Sequence, residues 1–127
     1  MIVVDTSVWV AARRQSPGNI APALNALLDA DEVALALPVR LELWAGTAKA
    51  DRGRFRRAFS ALPLLVPTEE TWKLLDDWIA RAGDSGLRFG LTDLLIARLA
   101  DEAGALVWSL DADFEQLAKL EMVRLYR

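Results

Sequence analysis

Short, uniformly apolar segments alternate with helical segments along the 127 residues of this chain. Strands that alternate between apolar and polar residues cover one face of a sheet, whereas uniformly apolar strands are buried on both faces. Buried strands separated by helices are typical of a mostly parallel sheet between two layers of helices. We therefore predict an α/β fold, a three-layer sandwich with about five short strands, in a single domain over residues 1–127. The predicted strands are residues 1–5, 32–37, 63–67, 105–110 and 122–126.

Helical segments fill the intervals between these strands. Thr6 or Ser7 can cap the first helix, and Thr92 and Gly104 mark the start and the end of a later one. The clearest amphipathic pattern lies at residues 68–82, where a threonine followed by acids opens the helix. The remaining predicted helices are residues 20–30, 38–46, 50–62 and 111–120, and the aromatic residues predicted to pack in the core are Trp72, Trp78 and Phe89.

Two stretches of the chain are polar. The segment "QSPGN" at residues 15–19 is predicted to be a loop. The run "RGRFRR" at residues 52–57 gives the predicted helix over residues 50–62 a basic character. We interpret it as a solvent-facing helix surface, with a contact to phosphate as the alternative.

The composition excludes several classes of protein. The chain has no cysteine and no histidine, so disulfides, zinc sites built from these residues and histidine-based catalysis are excluded. Its net charge of −3 argues against nucleic-acid binding through bulk positive charge. No apolar run approaches the ~20 residues that a membrane helix needs, and no signal-peptide pattern is present, so we expect a cytoplasmic protein without a membrane partner. The hydrophobic fraction of 54% is high for this length and suggests that a partner or a second copy covers part of the surface.

Four acidic residues occupy unusual positions. Asp5 ends the first predicted strand and Asp111 follows the fourth, so both belong at the carboxyl edge of a parallel sheet. At about 100° per residue, Asp93 falls within the apolar arc of its helix. Glu42 likewise shares the side of its helix with Leu41. An unpaired buried carboxylate is costly, so these acids require an explanation.

A local explanation exists for some of these acids. Asp111, Asp113 and in part Asp93 stand where acids often cap helices or interact with the helix dipole, and Asp5 could cap the first helix. Glu42 has no such role. Together, several carboxylates in one cleft would repel each other unless a cation neutralised them. A ligand set made only of oxygen selects a hard cation, Mg²⁺ or Mn²⁺.

Four segments of the chain, in order, resemble the PIN-domain ribonucleases, and specifically the VapC-type toxins of toxin–antitoxin pairs. These segments are "MIVVDTSVWV", "PVRLELWAG", "LTDLLIARLADEAG" and "ALVWSLDADF". The resemblance implies that the acids of the metal site, which are also the catalytic residues, are Asp5, Glu42, Asp93 and Asp111. It gives Asp113 a supporting role and places hydroxyl groups near the acids at Thr6 and Ser109.

The same resemblance implies an activity and partners. It implies metal-dependent endonucleolytic hydrolysis of RNA that leaves a 5′-phosphate, inhibition by a cognate VapB-type antitoxin, and a homodimer. We expect Trp9 and Trp44 to line the groove that receives the antitoxin, although packing in the core is an equally good interpretation of both.

Three other functions fit part of the pattern. Phosphatases and phosphotransferases of the haloacid-dehalogenase type also end their first strand in Asp, but they carry a second Asp where this chain has Ser7. Receiver domains need a lysine at a strand end, and none of the three lysines is so placed. The non-enzymatic alternative is a binding module whose acidic cleft holds a basic partner.

Overall fold

The computed structural model describes residues 1–14 and 18–127, so most of the loop predicted at residues 15–19 lies outside the described residues. In the described residues, four strands are separated from one another by one or two of seven α-helices. The strands are β1 (Ile2–Val4), β2 (Val33–Ala36), β3 (Leu64–Leu65) and β4 (Leu106–Trp108). The helices are α1 (Thr6–Arg13), α2 (Ile20–Asp29), α3 (Leu37–Ala45), α4 (Arg52–Phe59), α5 (Glu69–Asp84), α6 (Leu91–Glu102) and α7 (Asp113–Lys119).

The strands form one parallel sheet in the order β3-β2-β1-β4. Strand β1 is central: Ile2 pairs with Val33 on one side, and Val4 pairs with Trp108 on the other. The ladder continues past the end of β1, because the Asp5 N–H donates to the Trp108 carbonyl at 2.9 Å. The carboxyl ends of β1 and β4 therefore lie side by side, as the fold prediction requires.

The fifth predicted strand, residues 122–126, is reduced to a single parallel bridge between Val107 and Leu125. The beginning of this segment remains attached to the end of α7, because the Met122 N–H donates to the Leu117 carbonyl at 3.0 Å. Met122 is fully buried and so contributes to the core without joining the sheet. The α/β fold with a parallel sheet flanked by helices is confirmed, with four strands.

The core lies on both faces of the sheet, as uniformly apolar strands require. Ile2 and Val4 point to one face and Val3 to the other, following the two-residue period of a strand. The smaller cluster joins β1 and β2 to α1 and α2 through Val8, Leu24 and Val33. The larger cluster packs α3, α5, α6 and α7 against the opposite face. The helices thus form the two outer layers of the sandwich.

Helix α5 begins as its sequence predicts. Thr68 occupies the N-cap, and its hydroxyl accepts a hydrogen bond from the Thr71 N–H at 3.3 Å, within a reciprocal capping box. The buried residues of α5 include Leu75, Trp78 and Ala82, whereas Phe89 beyond its end is partly buried. The prediction for Trp72 is wrong: it is 49% exposed, and Ile79 on the same helix is 45% exposed. The apolar stripe of α5 is wider than the surface that the rest of the described chain covers.

Two predicted helix starts are also wrong. Helix α6 begins at Leu91 with Gly90 as its N-cap, so Thr92 lies within the first turn. The Leu94 N–H donates to the Gly90 carbonyl at 3.2 Å and closes that turn. Helix α1 begins at Thr6, so its N-cap is Asp5 rather than a hydroxyl residue.

The predicted basic helix over residues 50–62 is shorter in the structure. A 3₁₀ turn at Lys49–Asp51 leads into α4, which ends at Phe59. Pro63 disfavours helical backbone at Leu62, so the helix could not have extended to the predicted end. Within the described ranges, every helix is too short or too polar to cross a membrane.

Candidate active site

Asp5 is fixed by two hydroxyl groups at the junction of β1 and α1. Its side chain is buried, with 6% of the residue exposed. The hydroxyls of Ser7 and Ser109 both donate to the same carboxylate oxygen, Oδ2, at 2.8 and 2.7 Å. Although Asp5 is the N-cap of α1, its side chain caps no helix N–H. The second oxygen, Oδ1, receives no hydrogen bond from the described residues and is available to another partner.

Backbone N–H groups orient the two serine hydroxyls. The Leu110 N–H donates to Ser7 Oγ and the Asp111 N–H donates to Ser109 Oγ, each at 3.0 Å. Because each serine oxygen already accepts an N–H, its own proton is directed toward Asp5. Ser109 thus lies beside an acid, as the resemblance implies. Ser7 was not among the predicted site residues, although its position two residues after Asp5 is within reach of that carboxylate.

Glu42 enters the site from α3. The Thr6 hydroxyl donates to Glu42 Oε1 at 3.1 Å, which places this hydroxyl near an acid, as the resemblance implies. The expectation that Glu42 faces the core is wrong, because Glu42 and Leu41 are both exposed. Helix α3 buries Val39 instead, and the apolar arc that contains Glu42 faces outward over the cleft.

The other three acids form a compact group. One carboxylate oxygen from each of Asp93, Asp111 and Asp113 lies within 4.8 Å of the others. Asp93 is the third residue of α6 and Asp113 is the first of α7, whereas Asp111 lies in the turn after β4. Asp111 also has the local role that its position suggests, because its Oδ1 accepts the Asp113 N–H at 2.9 Å. Its other oxygen remains available to the group.

The electrostatics of the cleft show that four neighbouring acids act on Asp93. The pKa of Asp93 is raised from its ordinary value of 3.8 to about 6. Burial is the largest cause, followed by the negative charges of Asp111, Asp5, Asp113 and Glu42. The structure therefore brings together acids from the end of β1, from α3 and α6, and from the turn into α7.

No basic side chain compensates this charge within the described residues. The ion pairs found there involve other acids, namely Glu32, Asp51, Asp101, Glu102 and Glu115. The oxygens of Asp93, Asp111 and Asp113 lie close enough together to suit a hard divalent cation, and Asp5, with a free oxygen held in a fixed direction, and Glu42 add negative charge nearby. Such an ion would supply the counter-charge that the side chains lack.

An apolar groove adjoins the acids. It has a volume of about 170 Å³, and its lining includes Thr6 and Glu42 of the site together with Trp9, Phe55 and Phe59. Trp9 is held by a hydrogen bond from its indole N–H to the Val4 carbonyl at 3.1 Å. Trp44 is not among the residues that line this groove. Its ring packs on Phe55 with the ring centres 5.3 Å apart.

Comparison with known proteins identifies the family to which this chain belongs. The family model of the PIN domain matches residues 2–120, which defines the class as PIN-domain proteins. The chain is 31% identical over 130 residues to the VapC ribonuclease Mb1587 of Mycobacterium bovis, with 94% of this chain and 93% of the relative covered.

Solved structures share the fold. VapBC2 from Rickettsia felis, bound to a DNA fragment from its promoter, matches with a TM-score of 0.77 and 21% identity over 99% of this chain and 98% of the other. FitAcB from Neisseria gonorrhoeae matches with a TM-score of 0.76 and 19% identity over 100% of this chain and 97% of the other.

The family model and the Mycobacterium bovis relative show that the chain belongs to the PIN-domain family, among its VapC-type members. The resemblance inferred from the sequence is confirmed.

Proposed function

We propose that the chain is a divalent-metal-dependent endoribonuclease that acts in the cytoplasm as the toxin of a toxin–antitoxin pair. The main support is the convergence of five carboxylates without a basic partner in the described chain. Family membership and the activity named for the Mycobacterium bovis relative support RNA as the substrate.

Asp5, Asp93 and Asp111 are the proposed metal ligands. Asp5 offers Oδ1 to Mg²⁺ or Mn²⁺, while Ser7 and Ser109 hold Oδ2 and prevent the carboxylate from rotating. Asp93 and Asp111 complete the ligand set.

Two further acids support the site. Asp113 adds negative charge beside Asp93 and Asp111. Glu42, anchored by Thr6, leaves Oε2 open to the cleft, where it can orient water or accept a proton. A bound ion would activate water and stabilise the charge that develops on the phosphodiester.

The test is cleavage of a fluorescent single-stranded RNA with Mg²⁺ or Mn²⁺. Asp5→Asn and Asp93→Asn should each abolish the metal-dependent cleavage while leaving the circular dichroism spectrum unchanged. Asp101→Asn removes an exposed acid from the same helix as Asp93 and should retain full activity. If wild-type protein with either metal leaves RNA intact, the non-catalytic acidic-cleft module replaces the enzyme. If Asp5→Asn and Asp93→Asn cleave as well as wild type, the assignment of the site is wrong.

We further propose that the apolar groove receives the antitoxin. Its lining is mostly apolar but ends at Glu42, which suits a peptide with apolar side chains and one basic residue that reaches the acids. Val10 also lines the groove, so Val10→Glu should abolish co-purification with the antitoxin and retain RNA cleavage. Undiminished co-purification of this variant would place the antitoxin elsewhere.

The dimer proposal depends on a separate exposed surface. Trp72, Ile79 and Leu91 are 49%, 45% and 57% exposed and line one shallow depression where α5 meets the start of α6. A second copy would remove this apolar surface from water. We expect a dimer in sedimentation velocity and a monomer for Ile79→Lys. A wild-type monomer at micromolar concentration would contradict this proposal.

A further inference from the structure

The positive charge of this acidic protein is concentrated beside the groove. Residues 40–57 contain six basic and two acidic side chains, whereas the whole chain has a net charge of −3. After Asp51, the next acid in the sequence is Glu69. The basic residues of this segment are Arg40, Lys49, Arg52, Arg54, Arg56 and Arg57. A cluster of positive charge of this kind either binds a partner of opposite charge or is simply solvated. The contacts of its arginines distinguish the two.

Two of these arginines are held by an aromatic ring instead of a carboxylate. The guanidinium carbons of Arg52 and Arg56 lie 5.8 and 4.9 Å from the centre of the Trp44 ring. A cation–π contact fixes the position of a guanidinium but satisfies none of its in-plane N–H donors. Within the described residues, neither arginine makes an ion pair or a side-chain hydrogen bond, whereas Arg54 lies 3.9 Å from Asp51.

The arginines adjoin the groove that leads to the acids. Trp44 packs on Phe55, and Phe55 lines the same groove as Thr6 and Glu42 of the site. An RNA strand whose cleaved phosphate enters the acidic cleft meets repulsion there until a cation binds. Fixed positive charges one side chain away from the groove would offset that repulsion on the neighbouring phosphates.

We propose that Arg52 and Arg56, held on Trp44, bind the phosphates of single-stranded RNA next to the cleavage point. This proposal rests on the proposed ribonuclease function and adds the surface that holds the substrate. Unpaired arginine forks match phosphate oxygens, and the outer face of a flat guanidinium held on a ring suits stacking with an unpaired base. An acidic segment of a protein partner would use the charge but not the stacking surface, so RNA is the occupant that the surface fits better.

The experiment compares two double variants of the same helix. Arg52→Gln with Arg56→Gln removes the arginines held on Trp44. Arg54→Gln with Arg57→Gln removes the same charge from the opposite side of α4 by helical rotation. Binding of a fluorescent oligouridine is measured by anisotropy in EDTA, which prevents metal-dependent cleavage, over a series of salt concentrations.

We expect the first variant to bind about tenfold more weakly and to lower the salt slope of log affinity by about 1.4, the value for two lost phosphate contacts on a single strand. The control variant should lose about twofold or less, because its charges act only through screened solvent. With metal added, the first variant should raise KM and keep kcat. Arg52→Lys with Arg56→Lys should restore most of the salt slope.

Each result has a distinct meaning. Equal losses in both variants, or no loss in either, would overturn the phosphate surface, and continued cleavage by wild type would leave the ribonuclease proposal intact. Wild-type protein that neither binds nor cleaves RNA would overturn both. A loss of antitoxin binding with unchanged RNA binding would assign the surface to a protein partner and overturn the inference.

Discussion

Replacing Asp93 by asparagine should stabilise the metal-free protein while it abolishes metal-dependent cleavage. The carboxylate of Asp93 is half-buried, accepts no hydrogen bond from the described residues and is repelled by four other acids. Asparagine has nearly the same shape and no charge. The substitution therefore removes an unfavourable interaction that the native site retains for its ligand.

The magnitude follows from the pKa. A rise from 3.8 to about 6 corresponds to about 3 kcal/mol against the charged form. Because the group is only half-buried, solvent screening reduces this to about 1.5 kcal/mol. Asparagine also loses about 0.5 kcal/mol of interaction with the helix dipole, since Asp93 lies in the first turn of α6. The net gain in the free energy of unfolding is about 1 kcal/mol, which raises Tm by roughly 3–4 °C.

The pH dependence of stability independently tests whether Asp93→Asn stabilises the protein. The native pKa of Asp93 lies above the unfolded one, so its penalty is absent at low pH, grows between pH 4 and 6, and is complete above pH 6. Thermal unfolding in EDTA should show the variant more stable than wild type at pH 7.5, with the gap closing by pH 4. Asp101→Asn, which breaks an exposed pair with Arg98, should show no gain. A destabilised Asp93→Asn at pH 7.5, or a gap that widens in acid, would refute the reasoning.

Three further outcomes can be measured. Ser109→Ala removes one of the two donors to Asp5 Oδ2 and should weaken Mn²⁺ binding by about tenfold in calorimetry, without a loss of helical content. Divalent metal should raise Tm more at pH 7.5 than at pH 5, because below the Asp93 pKa of about 6 protons increasingly compete with the ion for this carboxylate. Thr71→Val leaves the Thr68 N–H and Glu102 without the buried hydroxyl and should cost about 2 kcal/mol in urea unfolding, with unchanged cleavage by the folded protein.

The sequence predicts the sheet and two acid positions because parallel topology is a strong constraint. Uniformly apolar strands separated by helices leave few arrangements, and in those Asp5 and Asp111 share one edge. The position of Asp93 also follows from the sequence, because the other charged residues of α6 clearly mark the solvent-exposed side of that helix. For all three residues, regular secondary structure alone determines which other residues lie nearby.

Glu42 and Trp72 show where this reasoning fails. Helix α3 has few polar residues, so its apolar arc does not indicate which side faces the core, and the structure places Leu41 and Glu42 outside. Helix α5 has a wide apolar stripe, and the described chain covers only part of it. The two hydroxyl bonds to Asp5 could not be derived either, because Ser109 is 104 positions away and its distance depends on the register of β1 with β4.

That register also fixes the order in which the protein can become active during its own synthesis. Asp5 leaves the ribosome well before Ser109, which lies 104 positions later in the chain. Until β4 has emerged and paired, one of the two hydroxyl groups that hold Asp5 and the turn with Asp111 are both missing. The proposed ribonuclease therefore lacks a complete site until β4 has been synthesised.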